Sequence, residues 1–512
     1  MKRNLVRLAS EKFDVLVIGG GIQGATIVRK LARAGLSAAL IEKSDFSAAT
    51  SSNSLKILHG GLRYLQSLDF KRMRESIASR AEIMRIAPDL VRPLGCVMPL
   101  YKNDVLKNRY VFKVALYLND LVGFDRNTGI DDSLQLPSGR VLSREKVAAL
   151  LPALEQQGLS GGALWHDGIV VNTERLVLHL LLEADLYRAC LANYVKAEDF
   201  IKKGDRVYGV RAKDMLTGQD FEIKSEYVVN ATGPWFQENL RKSRMHPDPK
   251  NQQWSLGLNI VIKKNLFGKY AVGLEGGVAG KNRLFFFVPW RGYTMIGTHY
   301  RPFTKHPDRF RVEKEDIEAF IQELNCVYPD AGIRFEDVTF FHGGMLPMSG
   351  ENASGDVVLD KEAMVIDHER QDGLKGLLSI RSIKYTTSSS VAGDVAGIIL
   401  NKIGNAALDP DLEFYGLEDA MLEDVLRKGL EFANPGFAVL GVKHFVENEM
   451  AATLSDIVFR RTELGTAECP SIECLHNIAG TMAEVMGWDM GRKEREIIEV
   501  LNRYEPLVLS HQ

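Results

Sequence analysis

The chain has few cysteines, almost no net charge and no long apolar run. Its five cysteines are Cys96, Cys190, Cys326, Cys469 and Cys474. They are odd in number, scattered and without CxxC spacing, which excludes a disulfide scaffold and gives no zinc or iron–sulfur pattern. No metal site is expected. Reduced thiols in a cytoplasm are the simplest account. A net charge of −2 argues against nucleic acid as a partner. No segment approaches the roughly 20 apolar residues needed to span a bilayer. The N-terminal MKRNLVRLAS is basic but has no apolar h-region. It reads as a solvated tail, not a secretory signal.

Against these absences stands one informative segment, Phe13 to Asp45. An apolar β run, Phe13 to Ile18, enters Gly19-Gly20-Gly21-Ile22-Gln23-Gly24. A helical stretch follows to about Ala34, Gly35 ends it, and a second apolar run finishes on Glu42. Gly19 permits the tight turn, Gly21 lets backbone approach a pyrophosphate, and Gly24 lets the helix lie close to the strands. The helix start offers N–H groups and partial positive charge to phosphates. Glu42 is suited to a ribose diol. An adenine dinucleotide site is expected, although the position alone does not separate NAD from FAD.

The next segment, Ala49 to Gln66, reads ATSSNSLKILHGGLRYLQ. It resembles the corresponding loop of the FAD-dependent glycerol-3-phosphate dehydrogenases and oxidases, ATSS-x-x-S-K-x-x-HGGLRYL, with Leu55 in place of the serine before Lys56. A second signature, VVNATGPW, ends a strand on Ala231, Thr232 and Gly233, where backbone passes against a ligand. The pieces Pro289-Trp290 and Ile296-Gly297-Thr298, and the stretches Glu449–Gly465 and Met486–Tyr504, also resemble this family. The likeness runs from Phe13 to Tyr504.

The resemblance implies an α/β, two-dinucleotide Rossmann-like FAD-binding fold, an antiparallel-sheet substrate domain and a C-terminal helical domain. The FAD-binding domain is expected over 1–75, 155–235 and 355–402. The substrate-binding cap is expected over 76–154 and 236–354, and the helical domain over 403–512. Helices are expected over Lys71–Ile86, Asp104–Val122, Thr173–Leu191, Val312–Asn325 and Val391–Leu400. Strands are expected over Asp205–Lys213, Gln219–Val229, Phe335–Phe341 and Leu377–Ile380.

FAD is the expected cofactor. Its contacts would be Gly19, Gly21, Gly24, Glu42, Thr50, Ser51, Ser52, Gly60, Gly61, Ala231, Thr232, Gly233, Thr386 and Thr387. A flavin alcohol dehydrogenase needs a base for the hydroxyl proton and positive charge near the ring N1. The loop Lys384 to Ser390 opens a helix and is rich in Thr and Ser that can cap its N–H groups. In the resembling family, the arginine, tyrosine and lysine matching Arg63, Tyr64 and Lys384 lie on the substrate side of the flavin. His59 reads equally as base, flavin partner or structural histidine, and His299 is a second candidate base.

Three departures stand out. The family's G-x-R-P, whose arginine grips the substrate phosphate, is Gly344-Met345-Leu346-Pro347 here. Ser382-Ile383 replaces Gly-Gly before the lysine, and Ser388-Ser389 replaces Tyr-Arg after Thr386-Thr387. Arg381, Arg283, Arg291 and Arg301 are candidates to compensate. The leading expectation is oxidation of a polyol phosphate's secondary alcohol, as in glycerol metabolism, with electrons passing to a quinone or another acceptor. The alternatives are the same chemistry on another alcohol, a hydroxy acid or an amine, or flavin binding without turnover. The expected location is cytoplasmic, with peripheral contact at the inner face of a membrane and pairing of subunits left open.

Overall fold

The computed structural model describes residues 1–101, 109–242, 252–277, 283–404 and 427–508. The start of the helix expected from Asp104 and the stretch 405–426 lie outside these residues. Two sheets organise the rest.

The first sheet runs Met364–Asp367, Leu377–Arg381, Asp220–Asn230, Lys12–Ile18, Ala38–Ile41, Cys190–Ala192. All neighbours are parallel except the outermost Met364–Asp367. Val15 to Val17 are buried without alternation because both faces are covered. Helices Ile22–Arg33, Thr173–Leu186 and Ser388–Ile403 cover one face through Ile27, Leu31, Leu181, Val395 and Ile399. An antiparallel ribbon, Val195–Lys203 and Arg206–Asp214, extends from Asp220–Asn230.

The second sheet has ten strands, almost all antiparallel. Helix Lys314–Val327 covers one face, with Phe320 and Leu324 against Phe285 and Phe287. The C-terminal helices Ala438–Glu449, Ile472–Met486 and Met490–Asn502 pack on the other through Phe445, Ile478 and Val500, beside Trp290 and Phe340.

Several boundaries moved. The helix expected to Leu191 stops at Leu186, because Arg188 turns left-handed at φ 63° and buried Cys190–Ala192 adds a parallel strand. The strand expected from Phe335 begins at Val338, after a short turn of 3-10 helix. Ile57–Leu58, Leu159–Val170 and Val357–Leu359 sit in the second sheet, not with the dinucleotide layer. The chain therefore returns to the first layer near Asn172, which caps helix Thr173–Leu186, rather than at 155.

Candidate active site

The glycine turn is steric, as its sequence implies. A Cβ on Gly24 would lie 1.9 Å from the Gly19 carbonyl oxygen, and one on Gly19 2.5 Å from that of Ala231. Gly21 starts helix Ile22–Arg33 with no side-chain cap. Ser51 Oγ accepts from Ile22 N at 2.9 Å, which draws the serine-rich loop over this helix start. Glu42 ends its strand as expected, and its carboxylate accepts from Gly20 N at 2.7 Å and Ser44 N at 2.9 Å. Ser44 Oγ also donates to Oε1 at 3.1 Å, so Oε2, with one donor, keeps a lone pair for a diol.

The loop 49–56 bridges the layers. Thr50 Oγ1 accepts from Met345 N at 3.1 Å, and Gly344 passes so close that a Cβ there would meet Thr50 at 3.0 Å. Ser52 folds back on the Ala49 carbonyl at 3.0 Å. Ala231 N donates to the Ile18 carbonyl at 2.9 Å, Thr232 Oγ1 to Asn230 Oδ1 at 2.7 Å, and Gly233 has φ 56°.

Thr386 and Thr387 are buried before helix Ser388–Ile403, but no side chain caps it. This corrects the expectation of a Thr/Ser cap and leaves this helix start without one. Gln23 Nε2 donates to Ser382 Oγ at 2.8 Å and to the Lys384 carbonyl at 3.2 Å, tying the two helix starts together. Two helix starts side by side, close backbone at the glycines and an acid at the strand end fit a dinucleotide.

The reactive end is built around Gly61, whose φ of 83° turns the chain into the short helix Leu62–Ser67. Lys384 Nζ stands 4.2 Å from the Tyr64 ring centre. Burial pushes its amine down to about 8. Arg63 is exposed and makes no ion pair among the described residues. Its charge reaches Tyr300, whose hydroxyl is pushed up by burial.

Strand register sorts the next residues. Tyr300 pairs with Gly257 and His299 with Leu258, so they point to opposite faces. Leu346 lies beside Thr298 and Tyr300 over Gly257. His299 points the other way. Its Nδ1 meets Glu323 at 2.9 Å and its ring rests on Phe320, both on helix Lys314–Val327. As a candidate base it sits in the wrong layer. His59 meets Asp167 through Nδ1 at 3.2 Å, beside Gly60.

The candidate compensating arginines already have partners. Arg283 bonds Asp356 at 2.8 Å and Glu323 at 3.2 Å. Arg291 meets Glu463 at 3.0 Å, and Arg301 bonds Asp316 at 2.8 Å. Arg381 faces Asp360 at 3.4 Å and donates to Gln252 at 2.8 Å. Sequence reasoning missed Tyr300, Gln23 and Asp167. Asp167 alone left a signal, an acid inside the apolar run GALWHDGIVV.

Comparison with known proteins agrees with this fold. The model of the FAD dependent oxidoreductase family matches residues 14–376, and that of the C-terminal domain of alpha-glycerophosphate oxidase matches 420–493. The glycerol-3-phosphate dehydrogenase of Synechocystis is 29% identical over 97% of both chains. The mitochondrial glycerol-3-phosphate dehydrogenase of Bos taurus is 31% identical over 95% of this chain and 72% of its own. The fold is shared with glycerol-3-phosphate dehydrogenase from Bacillus halodurans complexed with FAD, at TM-score 0.72 and 24% identity, covering 99% of this chain and 98% of that one. The chain belongs to the FAD-dependent oxidoreductases, with FAD as its cofactor, on the branch that carries the C-terminal domain of alpha-glycerophosphate oxidase.

Proposed function

We propose that the protein oxidises the secondary alcohol of a small polyol phosphate to a ketone, glycerol 3-phosphate to dihydroxyacetone phosphate being the type reaction. One observation supports this above all. Lys384 stands over the ring of Tyr64, Arg63 precedes Tyr64 in the chain, and neither cation has a carboxylate partner among the described residues. Unmatched cations at an open site bind an anion. FAD, when bound, accepts the hydride of the carbinol carbon. The chain's own groups do the rest. Arg63 holds the anionic end of the substrate. Lys384 and the bare start of helix Ser388–Ile403 supply positive potential where negative charge develops. His59 takes the hydroxyl proton.

A second reading rests on Leu346 and the four engaged arginines. With Arg63 as the main anion grip, a monoanionic hydroxy acid would suit the site better than a phosphate dianion. Anaerobic addition of substrate to the yellow protein separates these readings. Glycerol 3-phosphate is expected to bleach the flavin absorbance at lower concentration than any 2-hydroxy acid. The reverse order favours the second reading. Bleaching by neither leaves a flavin-binding protein without this turnover.

Electrons leaving for a quinone need access to lipid. No helix among the described residues is long and apolar enough to cross a membrane. Helix Arg109–Val122, however, exposes Val114, Tyr117 and Leu121 on one stripe, with Phe124 just beyond and Lys113 beside it. An amphipathic helix normally buries such a stripe, and a basic one with aromatic residues lies in a lipid interface. Phosphatidylglycerol vesicles should therefore co-sediment with the protein, and Leu121→Glu should release it while activity with a soluble acceptor is kept. Equal release of both proteins from the vesicles rejects the contact.

A further inference from the structure

Asp167 is a buried carboxylate directly behind His59. It lies on strand Leu159–Val170, is 3% exposed, and every group it meets can donate to it. Oδ1 accepts from Gly60 N at 2.7 Å and from Arg80 Nη1. Oδ2 accepts from Trp165 Nε1 at 3.2 Å and meets His59 Nδ1 at 3.2 Å. Burial pushes the carboxyl up, but the His59 bond and the Arg80 charge outweigh it and hold it at about 2. Asp167 is thus an anion, and an anion can only accept. The ring nitrogen facing it must carry the proton, which leaves the Nε2 lone pair at the other end of the ring.

That other end is open. The His59 side chain is 46% exposed where that of Asp167 is 4%. The His59 ring lies 5.5 Å from Phe286, which pairs with Gly297, the residue before Thr298. A plain loop tie would not need this histidine, because Arg80 and Gly60 N already satisfy Asp167 Oδ1 and Trp165 reaches Oδ2. The charged and titratable groups around the pair are Arg80 on helix Phe70–Ile86, Arg126, His166, and Cys96, a thiol that burial keeps neutral.

We infer that Asp167 is a positioning residue that fixes His59 as the Nδ1–H tautomer, with Nε2 presented to the substrate hydroxyl. The inference rests on the alcohol oxidation proposed above. In the step it serves, the substrate O–H bond breaks and its proton passes to His59 Nε2. The electron pair left on oxygen forms the carbonyl as the carbon's hydrogen leaves, with its two electrons, for the bound FAD. Asp167 stabilises the imidazolium by holding Nδ1–H and does not itself take the proton.

The test is the tautomer. FAD-loaded protein labelled with 15N-histidine carries 11 histidines, and His59→Gln identifies the His59 signal by its loss. In the wild type the neutral ring is expected as Nδ1–H; an Nε2–H ring overturns the inference without any further variant. In Asp167→Asn the preference is expected to be lost, and turnover to fall by ~100-fold or more. The double variant His59→Asn, Asp167→Asn should be no slower than His59→Asn alone. Multiplying losses would mean that Asp167 acts independently of His59. Should Asp167→Asn not fold, the wild-type tautomer still decides. A fixed Nδ1–H ring in a protein that bleaches with no alcohol removes the oxidation reading and leaves the pairing.

Discussion

Two clusters of cations occupy this molecule, and they are treated in opposite ways. Where the C-terminal helices meet the dinucleotide layer, Arg461 bonds Asp45 at 2.7 and 2.9 Å and Arg175 bonds Glu449 at 2.6 and 3.0 Å. Arg460 bridges Asp45 and Asp456. Arg461, Asp45 and Glu449 are buried completely. At the candidate active site, Arg63 and Lys384 have no carboxylate partner among the described residues, and each lies near a tyrosine. A buried cation with its counter-ion in place fastens layers together. A cation left unmatched beside a helix start is available for a ligand. Charge count alone would not distinguish them; partnership does.

The largest effect is expected from breaking the fastened cluster. Arg461→Met leaves buried Asp45 with Arg460 as its remaining cation, which should cost ~3 kcal/mol in chemical denaturation, the low end for breaking a buried pair. The same cluster sets an acid limit. Burial pushes the Asp45 and Glu449 carboxyls up, but Arg461 and Arg460 beside the first and Arg175 beside the second hold both at about 2. Their stabilisation is complete above the usual carboxylate range and is lost as pH falls toward 2. Near-ultraviolet circular dichroism should show cooperative loss of tertiary signal in that window, and Arg461→Met should show it at higher pH.

Lys384→Met should act on the other cluster and in the opposite sense on stability. Turnover should fall by ~100-fold, while stability rises by ~1 kcal/mol below pH 8 after allowance for solvent screening. Because burial lowers this amine from 10.5 to about 8, its charge is present below that pH and fades above it. Substrate-limited turnover should therefore decline as pH rises through about 8, and Lys384→Arg should flatten the decline.

A smaller change sharpens the ligand side. Leu346→Arg adds one charge-assisted bond of ~1.5–3 kcal/mol. It should lower KM for glycerol 3-phosphate by at least about tenfold and leave neutral polyols unaffected. An unchanged ratio would mean that residue 346 does not face the anion. The smallest effect is expected at the surface, where Lys43 reaches Asp308 at 3.0 Å and the Trp235 ring at 3.6 Å. These side chains are 34% and 57% exposed, so Lys43→Ala should cost no more than ~1 kcal/mol in the same denaturation assay.

The dinucleotide half was legible because its chemistry is local. Gly19, Gly21 and Gly24 recur at fixed spacing in one strand–turn–helix unit, where Gly24 packs on the Gly19 carbonyl, and Glu42 ends the next strand. The site was less legible because it is assembled from distant stretches. His299 looked like a base because an imidazole titrates near neutrality, yet a pleat sends alternate side chains to opposite faces. Its neighbour Tyr300 took the open face instead. The four arginines near the site looked like phosphate ligands until Glu323, Asp356, Glu463, Asp316 and Asp360 appeared beside them. Leu346 was read as an apolar residue in an arginine's position, and its place beside Tyr300 and Thr298 needed the register.

By itself, the order of residues determined the glycine turn, the acid-ended strand, the apolar strands and the family, because each depends on spacing within a few dozen positions. Only the folded chain decided which charges are spent on one another and which are left for a ligand. Electrostatic partners such as Asp45 and Arg461, or His59 and Asp167, lie hundreds or about a hundred residues apart. Coulomb energy depends on their separation in space and on the water excluded between them, and neither quantity is written in the linear chain.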